Sequence, residues 1–227
     1  MIGVTASSWR WAPALGLLIV LVYGQTLTHG FHFDDDHTIV HNPSIRSPVE
    51  WSVVWSDPTA FSRTPGAGMF RPLLLSSFVA NYWWSGLDGW SWHAVNVALH
   101  ALVSMLVVLL ARDLGCREGP ALAAGVLFGL HPLAVEPVSY ISSRSESLAT
   151  LFLLLCILGH IRGHRQDGTR LHRALSLGAL AAGLCCKATA ATAPLLIAAY
   201  ELSVSRAGGR KVARRTAPTA VIGIRAW

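Results

Sequence analysis

Apolar residues along this chain arrive in runs, and polar residues gather between them. The runs cover about 12–31, 93–111, 120–132 and 138–161, followed by a pair at 174–186 and 188–202 parted at Lys187. A helix needs about 20 apolar residues to cross a bilayer, so the longer runs read as spans. The first carries no small-x-small cleavage site after it and reads as an uncleaved anchor rather than a signal peptide. Residues 32–92 form a long polar interval rich in Pro, Trp and Asp. The pattern predicts an all-α, polytopic membrane helical bundle of about six spans with a large first loop.

Within the second run His93, Asn96, His100 and Ser104 stand three, four and four apart, on one helix face. A polar stripe is costly against lipid, so it should face other helices or a water-filled cavity. Plain hydrogen bonding between helices is the competing reading.

Composition narrows the class. Of 227 residues 52% are hydrophobic and 13% charged; with a mean hydropathy of +0.46, that is too apolar for a soluble domain. Nine tryptophans suit interfacial belts. The net charge of +6 suggests nucleic acid until the cations are located. They cluster in short loops: Arg162, Arg165, Arg170 and Arg173 in one, Arg206, Arg210, Lys211, Arg214 and Arg215 in the tail. That is a cytoplasmic signature, not a nucleic-acid one. The acid-rich loop 32–92 then lies on the extracytoplasmic side. Two short helices that rise to Lys187 and descend again keep both basic segments on the same side. Cys116, Cys156, Cys185 and Cys186 show no metal or disulfide spacing and read as small core residues.

This topology gathers Asp34, Asp35, Asp36, Glu136, Arg144 and Lys187 on one outer face. Three adjacent carboxylates repel one another, so a metal, a cationic partner or a proton transfer should use them; a solvated loop start is the bland alternative. Arg144 and Glu146 could form a structural salt bridge. Acids and bases at one membrane surface suit a lipid-linked anionic donor, because cations hold phosphate while a carboxylate takes a proton.

Four blocks, "FHFDDDHTIVHNPSI", "FRPLLLSSFVANYWW", "WHAVNVALHALVSML" and "VLFGLHPLAVEPVSYISSRSESLATLFLL", lie in one collinear order. In them the chain resembles the N-terminal membrane region of the transmembrane and TPR repeat-containing O-mannosyltransferases and their bacterial relatives, in the GT-C glycosyltransferase superfamily. The resemblance implies transfer of a sugar, usually mannose, from a polyprenyl-phosphate donor to a protein or glycan hydroxyl on the extracytoplasmic or lumenal side. Residue by residue it implies Asp34 and Asp35 as the catalytic acids, with Asp36, His37, His131 and Glu136 in support. Arg71, Arg144 and Lys187 would bind the donor phosphate, and His93, Asn96 and His100 would face the cavity. Ala134 and Ala188 stand where the family often has His and Glu. No cofactor is certain; Mg²⁺ or Mn²⁺ on Asp34 and Asp35 is the metal to consider.

The implied membrane is the inner membrane of a bacterium or the endoplasmic reticulum of a eukaryote. No 34-residue helical repeat is present, and a GT-C domain of this type has about ten or more spans. The chain therefore reads as a fragment, a truncated product or half of a split protein that a partner chain completes. A transporter or channel, or a non-catalytic scaffold, are the alternative functions. Charges at one surface rather than at the midplane count against the transporter.

Overall fold

The computed structural model of the protein describes residues 11–46, 49–205 and 208–225. Arg206, one of the cations of the basic tail, lies outside the described residues. The described elements are all helical. In order they are α1 (Ala12–Tyr23), α2 (Trp51–Ser56), α3 (Pro72–Ser85), α4 (Gly89–Asp113), α5 (Glu118–Gly129), α6 (Val135–Ser139), α7 (Arg144–Gly163), α8 (Arg170–Leu184), α9 (Ala193–Ser203) and α10 (Gly209–Arg225).

Two helical stretches, Gly89–Asp113 and Ile141–Gly163, are long and apolar enough to cross a membrane. At 25 residues α4 extends roughly 37 Å, more than the ~30 Å hydrocarbon layer. A third candidate is α5 with the stretch Pro132–Ser139, bent by 53° at the break. Pro132 explains the break, since it lacks the amide hydrogen that a continuous helix would need there. The helix expected at 138–161 accordingly starts at Arg144, after short turns at Pro132–Ala134 and Ile141–Ser143. At the other end of the chain, Lys187 takes an extended backbone and separates α8 from α9.

α4 is the central post. It packs against α1, α5, α6 and α7, while α7 packs along α8 and α10 lies against α8 and α9. The largest core joins α3, α4 and α7 through Phe78, Trp92, Leu106, Leu148 and Leu151. α5 comes close to α4 through glycine: a Cβ on Gly125 would meet Val108 Cγ2 at 2.3 Å and the Ser104 carbonyl at 3.1 Å. Small residues permit such close approach where helices pack inside a bilayer. Leu17, Leu21, Leu175, Leu195 and Leu202 point outward, as lipid-facing residues of a membrane protein do. Trp51 and Trp55 on α2, Trp83 and Trp84 at the end of α3 and Trp90 at the start of α4 are exposed, and an aromatic belt marks a membrane–water interface.

Candidate functional site

The chain leaves α1 and, after a 3₁₀ turn ending at Thr28, enters the loop that carries the three aspartates. Phe33 has φ of +50°, a left-handed conformation costly for a bulky side chain. A π turn follows over Asp36–Val40, closed by His41 N–H donating to the Asp36 carbonyl at 2.8 Å. Beyond these distortions the three carboxylates meet different partners.

Each aspartate has a different environment. Asp35 is 1% exposed. Its Oδ1 accepts from the Ser142 amide at 2.8 Å and the Ser142 hydroxyl at 2.6 Å, and its Oδ2 from the His32 amide at 3.0 Å. It fastens the first loop to the stretch before α7, more than 100 residues away. Asp36 is exposed and meets His41 Nδ1 at 3.0 Å. Asp34 also faces solvent, its side chain 65% exposed, with His37 Nε2 at 3.4 Å. His37 is held in turn by Ser62 Oγ, 2.9 Å from Nδ1. The Asp34 amide donates to the Tyr140 hydroxyl at 3.0 Å, and burial pushes the Tyr140 phenol up to about 12, so it stays neutral.

This donor set fits a divalent cation poorly. Binding one between Asp34 and Asp35 would displace three hydrogen-bond donors from Asp35, so no step below is routed through a metal.

The cations separate into two groups. Lys187 pairs with Glu146 on α7, and Glu146 also faces Arg71, whose guanidinium loses basicity through burial and regains part of it from that carboxylate. Arg71 is further placed by Phe61, its guanidinium 5.4 Å from the ring centre. The backbone joins the same two regions, the Leu73 amide donating to the Cys185 carbonyl at 3.1 Å. Arg71, Glu146 and Lys187 thus form one cluster drawn from three distant segments. The Arg144–Glu146 pair considered from sequence does not form. Residues two apart on a helix point to different sides, and Glu146 turns to Lys187 instead.

Arg144 is 0% exposed. Nε donates to Asn96 Oδ1 at 2.8 Å, Nη2 to Asn81 Oδ1 at 2.8 Å and to the Trp92 carbonyl at 3.1 Å. The Phe78 and Trp92 rings lie 5.3 Å away. It ties α3, α4 and α7 together and has no free donor directed outward.

The polar stripe is enclosed by protein. His93, Asn96, His100 and Ser104 are all buried. Asn96 serves Arg144 and His100 donates to the Gly129 carbonyl at 2.9 Å. His100 alone of the four also lines a cavity of about 360 Å³ with Phe128, His131, Pro137 and Glu146. Among the described residues, His93 has no partner at hydrogen-bond geometry for either ring nitrogen. His131 caps its own turn by accepting from the Leu133 amide at 3.2 Å, and Glu136 is exposed on α6.

Tyr140, Ser142, Asn81 and Glu146 complete the site without having been singled out for it. Only Glu146 carried a signal, a charge in the opening turn of a span. Cys156 and Cys186 are buried as expected and Cys185 is half-buried, whereas Cys116 is exposed at the turn after α4, where no helix covers it.

Comparison with known proteins points the same way. The chain is 34% identical over 194 residues to "Protein O-mannosyl-transferase Tmtc2" of Drosophila melanogaster, covering 82% of this chain and 21% of that protein. It is 36% identical over 154 residues to "Protein O-mannosyl-transferase tmtc2" of Xenopus laevis, covering 66% and 18%. With human "Protein O-mannosyl-transferase TMTC3" the identity is 26% over 196 residues, covering 83% and 21%. The chain therefore spans about a fifth of the length of these curated relatives. No family model matches the sequence. No solved structure matches it either.

Proposed function

Being homologous over most of its length to the TMTC protein O-mannosyl-transferases, the chain, we propose, is part of a membrane glycosyltransferase that moves mannose from a polyprenyl-phosphate donor to a hydroxyl acceptor. The observation that carries this reading is the division of labour in the aspartate loop. Asp35 is saturated by donors that fix the loop, and Asp34 beside it is solvent-facing with an imidazole at 3.4 Å. A general base needs that accessibility together with a fixed position.

In this reading Asp34 takes the proton of the acceptor hydroxyl, and the hydroxyl oxygen attacks the anomeric carbon. The bond from that carbon to the phosphate oxygen breaks, and the phosphate departs with the electron pair. Arg71 and Lys187 stabilise the departing charge, with Glu146 holding them in place until the donor arrives. Arg144, fully buried, supports the helices rather than the phosphate. The 360 Å³ apolar cavity beside Glu146 suits the first isoprene units of the donor. The reaction side is the extracytoplasmic or lumenal one, from the charge asymmetry of the loops.

The test is mannosyl transfer from labelled polyprenyl-phosphate mannose by the complete protein. Asp34→Asn should lower turnover about 10²- to 10⁴-fold with folding intact. Asp35→Asn should lower the yield of folded protein first. Near wild-type turnover in Asp34→Asn removes the assignment.

A further inference from the structure

The end of the molecule opposite the aspartates holds a second cluster of titratable groups, which glycosyl transfer does not use. A cavity of about 410 Å³ opens where α7, α8 and α10 meet, bordered by Arg173, Lys211, Arg214, Arg215, His164 and Ser176. Below it lies Glu201 of α9, 0% exposed, with Oε1 2.9 Å from His160 Nε2 and Oε2 accepting from Arg215 Nη1 at 2.8 Å. The His164 ring lies tilted against that of His160, ring centres 4.3 Å apart, and its Nδ1 donates to the His160 carbonyl at 3.0 Å.

His160, His164 and Glu201 lie close enough to hold a metal, but their surroundings oppose one. Both Glu201 oxygens already have partners, one of them a guanidinium, and three further cations border the cavity. The balance of charge favours the opposite ligand. Glu201 neutralises Arg215 only. Arg173, Lys211 and Arg214 have no acid partner among the described residues. Like charges around one concavity repel until an anion enters, so this lining suits a multiply charged oxyanion.

α10 indicates where such an anion comes from. Its first two turns carry Arg210, Lys211, Arg214 and Arg215, and its later residues Val221 and Ile222 are apolar, Ile222 packing beside Ile197 of α9. A basic amphipathic helix of this kind lies at a membrane surface, where phosphate-bearing lipid headgroups are concentrated. We propose that the cavity between α7, α8 and α10 binds a phosphate group, presented by an anionic lipid headgroup, through Arg173, Lys211 and Arg214. Arg215 is the positioning residue, fixed by Glu201 so that α10 keeps its cations turned to the cavity.

The test uses the whole chain purified in detergent, with native mass spectrometry reading retained ligand. The probes are phosphatidic acid, phosphatidylcholine and inorganic phosphate. Phosphatidic acid should be retained and phosphatidylcholine released. Replacing Lys211 and Arg214 together by Gln should weaken phosphatidic acid retention roughly 30-fold, at about a tenfold loss or less for each cation near a lipid surface. These side chains are exposed and outside the Glu201 network, so the double variant should melt like the parent. Arg210→Gln, on the same helix but not bordering the cavity, should leave retention unchanged. If inorganic phosphate at equal concentration displaces the lipid, the phosphate site stands and its lipid source falls. Equal retention of phosphatidylcholine, or full retention by the double variant, overturns the proposal.

Discussion

The two ends of this bundle carry acids in opposite circumstances. At the basic end Asp113 receives Arg162 at 2.7 Å and Arg165 at 2.9 Å, its side chain 1% exposed. Glu201 is likewise enclosed, with one permanent cation, Arg215, and the buried imidazole of His160 as its partners. At the acidic end Asp34 and Asp36 stand in solvent and, among the described residues, form ion pairs with imidazoles alone. A carboxylate enclosed with guanidinium partners serves as their counter-ion and offers no open face to a substrate. One facing an imidazole and water stays accessible to a substrate hydroxyl. The same residue type therefore builds the fold at one end and is left available for chemistry at the other.

Sidedness is the coarsest way to break this contrast, and its readout is all or none. Cys116 is exposed at the turn after α4 and serves as a native reporter for the basic end. In sealed cells a membrane-impermeant thiol reagent should miss Cys116 and label Thr64→Cys, exposed in the loop 32–92. Labelling of Cys116 with protection of the cysteine at position 64 would invert the topology and put the aspartates on the wrong side for a lumenal acceptor.

Next in size is the buried cation of the acidic end. Arg144→Met leaves the side-chain oxygens of Asn81 and Asn96 without their donor inside the core. Breaking a buried charged network by removing one partner costs about 3–5 kcal/mol. Thermal unfolding in detergent should show a large loss of Tm. An unchanged Tm would mean that Arg144 is free for the phosphate, and its assignment as a structural tie would fall.

The equivalent change at the basic end should cost less. In Asp113→Asn the two arginines lose a carboxylate, yet their side chains are 34% and 36% exposed and can hydrate. Solvent screening limits the loss to about 1–2 kcal/mol. A loss as large as that of Arg144→Met would show that exposure does not separate the two ends.

The helices were legible in the sequence because their signal is local. Runs of apolar residues gave positions close to α4, α5, α8 and α9, and the three-four-four spacing placed His93, Asn96, His100 and Ser104 on one buried face. Interruptions were legible where proline or a lone charge forced them, at Pro132 and Lys187. Partner choice was not legible. Glu146 meets Lys187 across 41 residues of chain, and Arg144 meets Asn81 across 63. Nothing in the sequence near Arg144 announces a guanidinium fully enclosed by amides and carbonyls, since charge argues for a surface position. Nor does "DDD" reveal which aspartate is buried. That follows from the left-handed turn at Phe33 and the π turn after it, conformations that residue type alone does not dictate.

The finest test of the comparison is the aspartate that should do least. Asp36 adjoins Asp35 in sequence, yet its side chain is 68% exposed and its contact is His41 Nδ1 at 3.0 Å, itself half exposed. An exposed pair of this kind contributes little, because water replaces the lost contact at almost no cost. Asp36→Asn should therefore change stability by no more than about 0.5 kcal/mol. It should also leave mannosyl transfer within about threefold of the parent, against a loss of about 10²-fold or more for Asp34→Asn. The two variants remove the same charge two residues apart, so bulk electrostatics would affect them alike. Only a positional role for Asp34, set by His37 and the Tyr140 hydroxyl, separates them. If Asp36→Asn matches Asp34→Asn in transfer, the loop acts through its summed negative charge, and neither aspartate is the base.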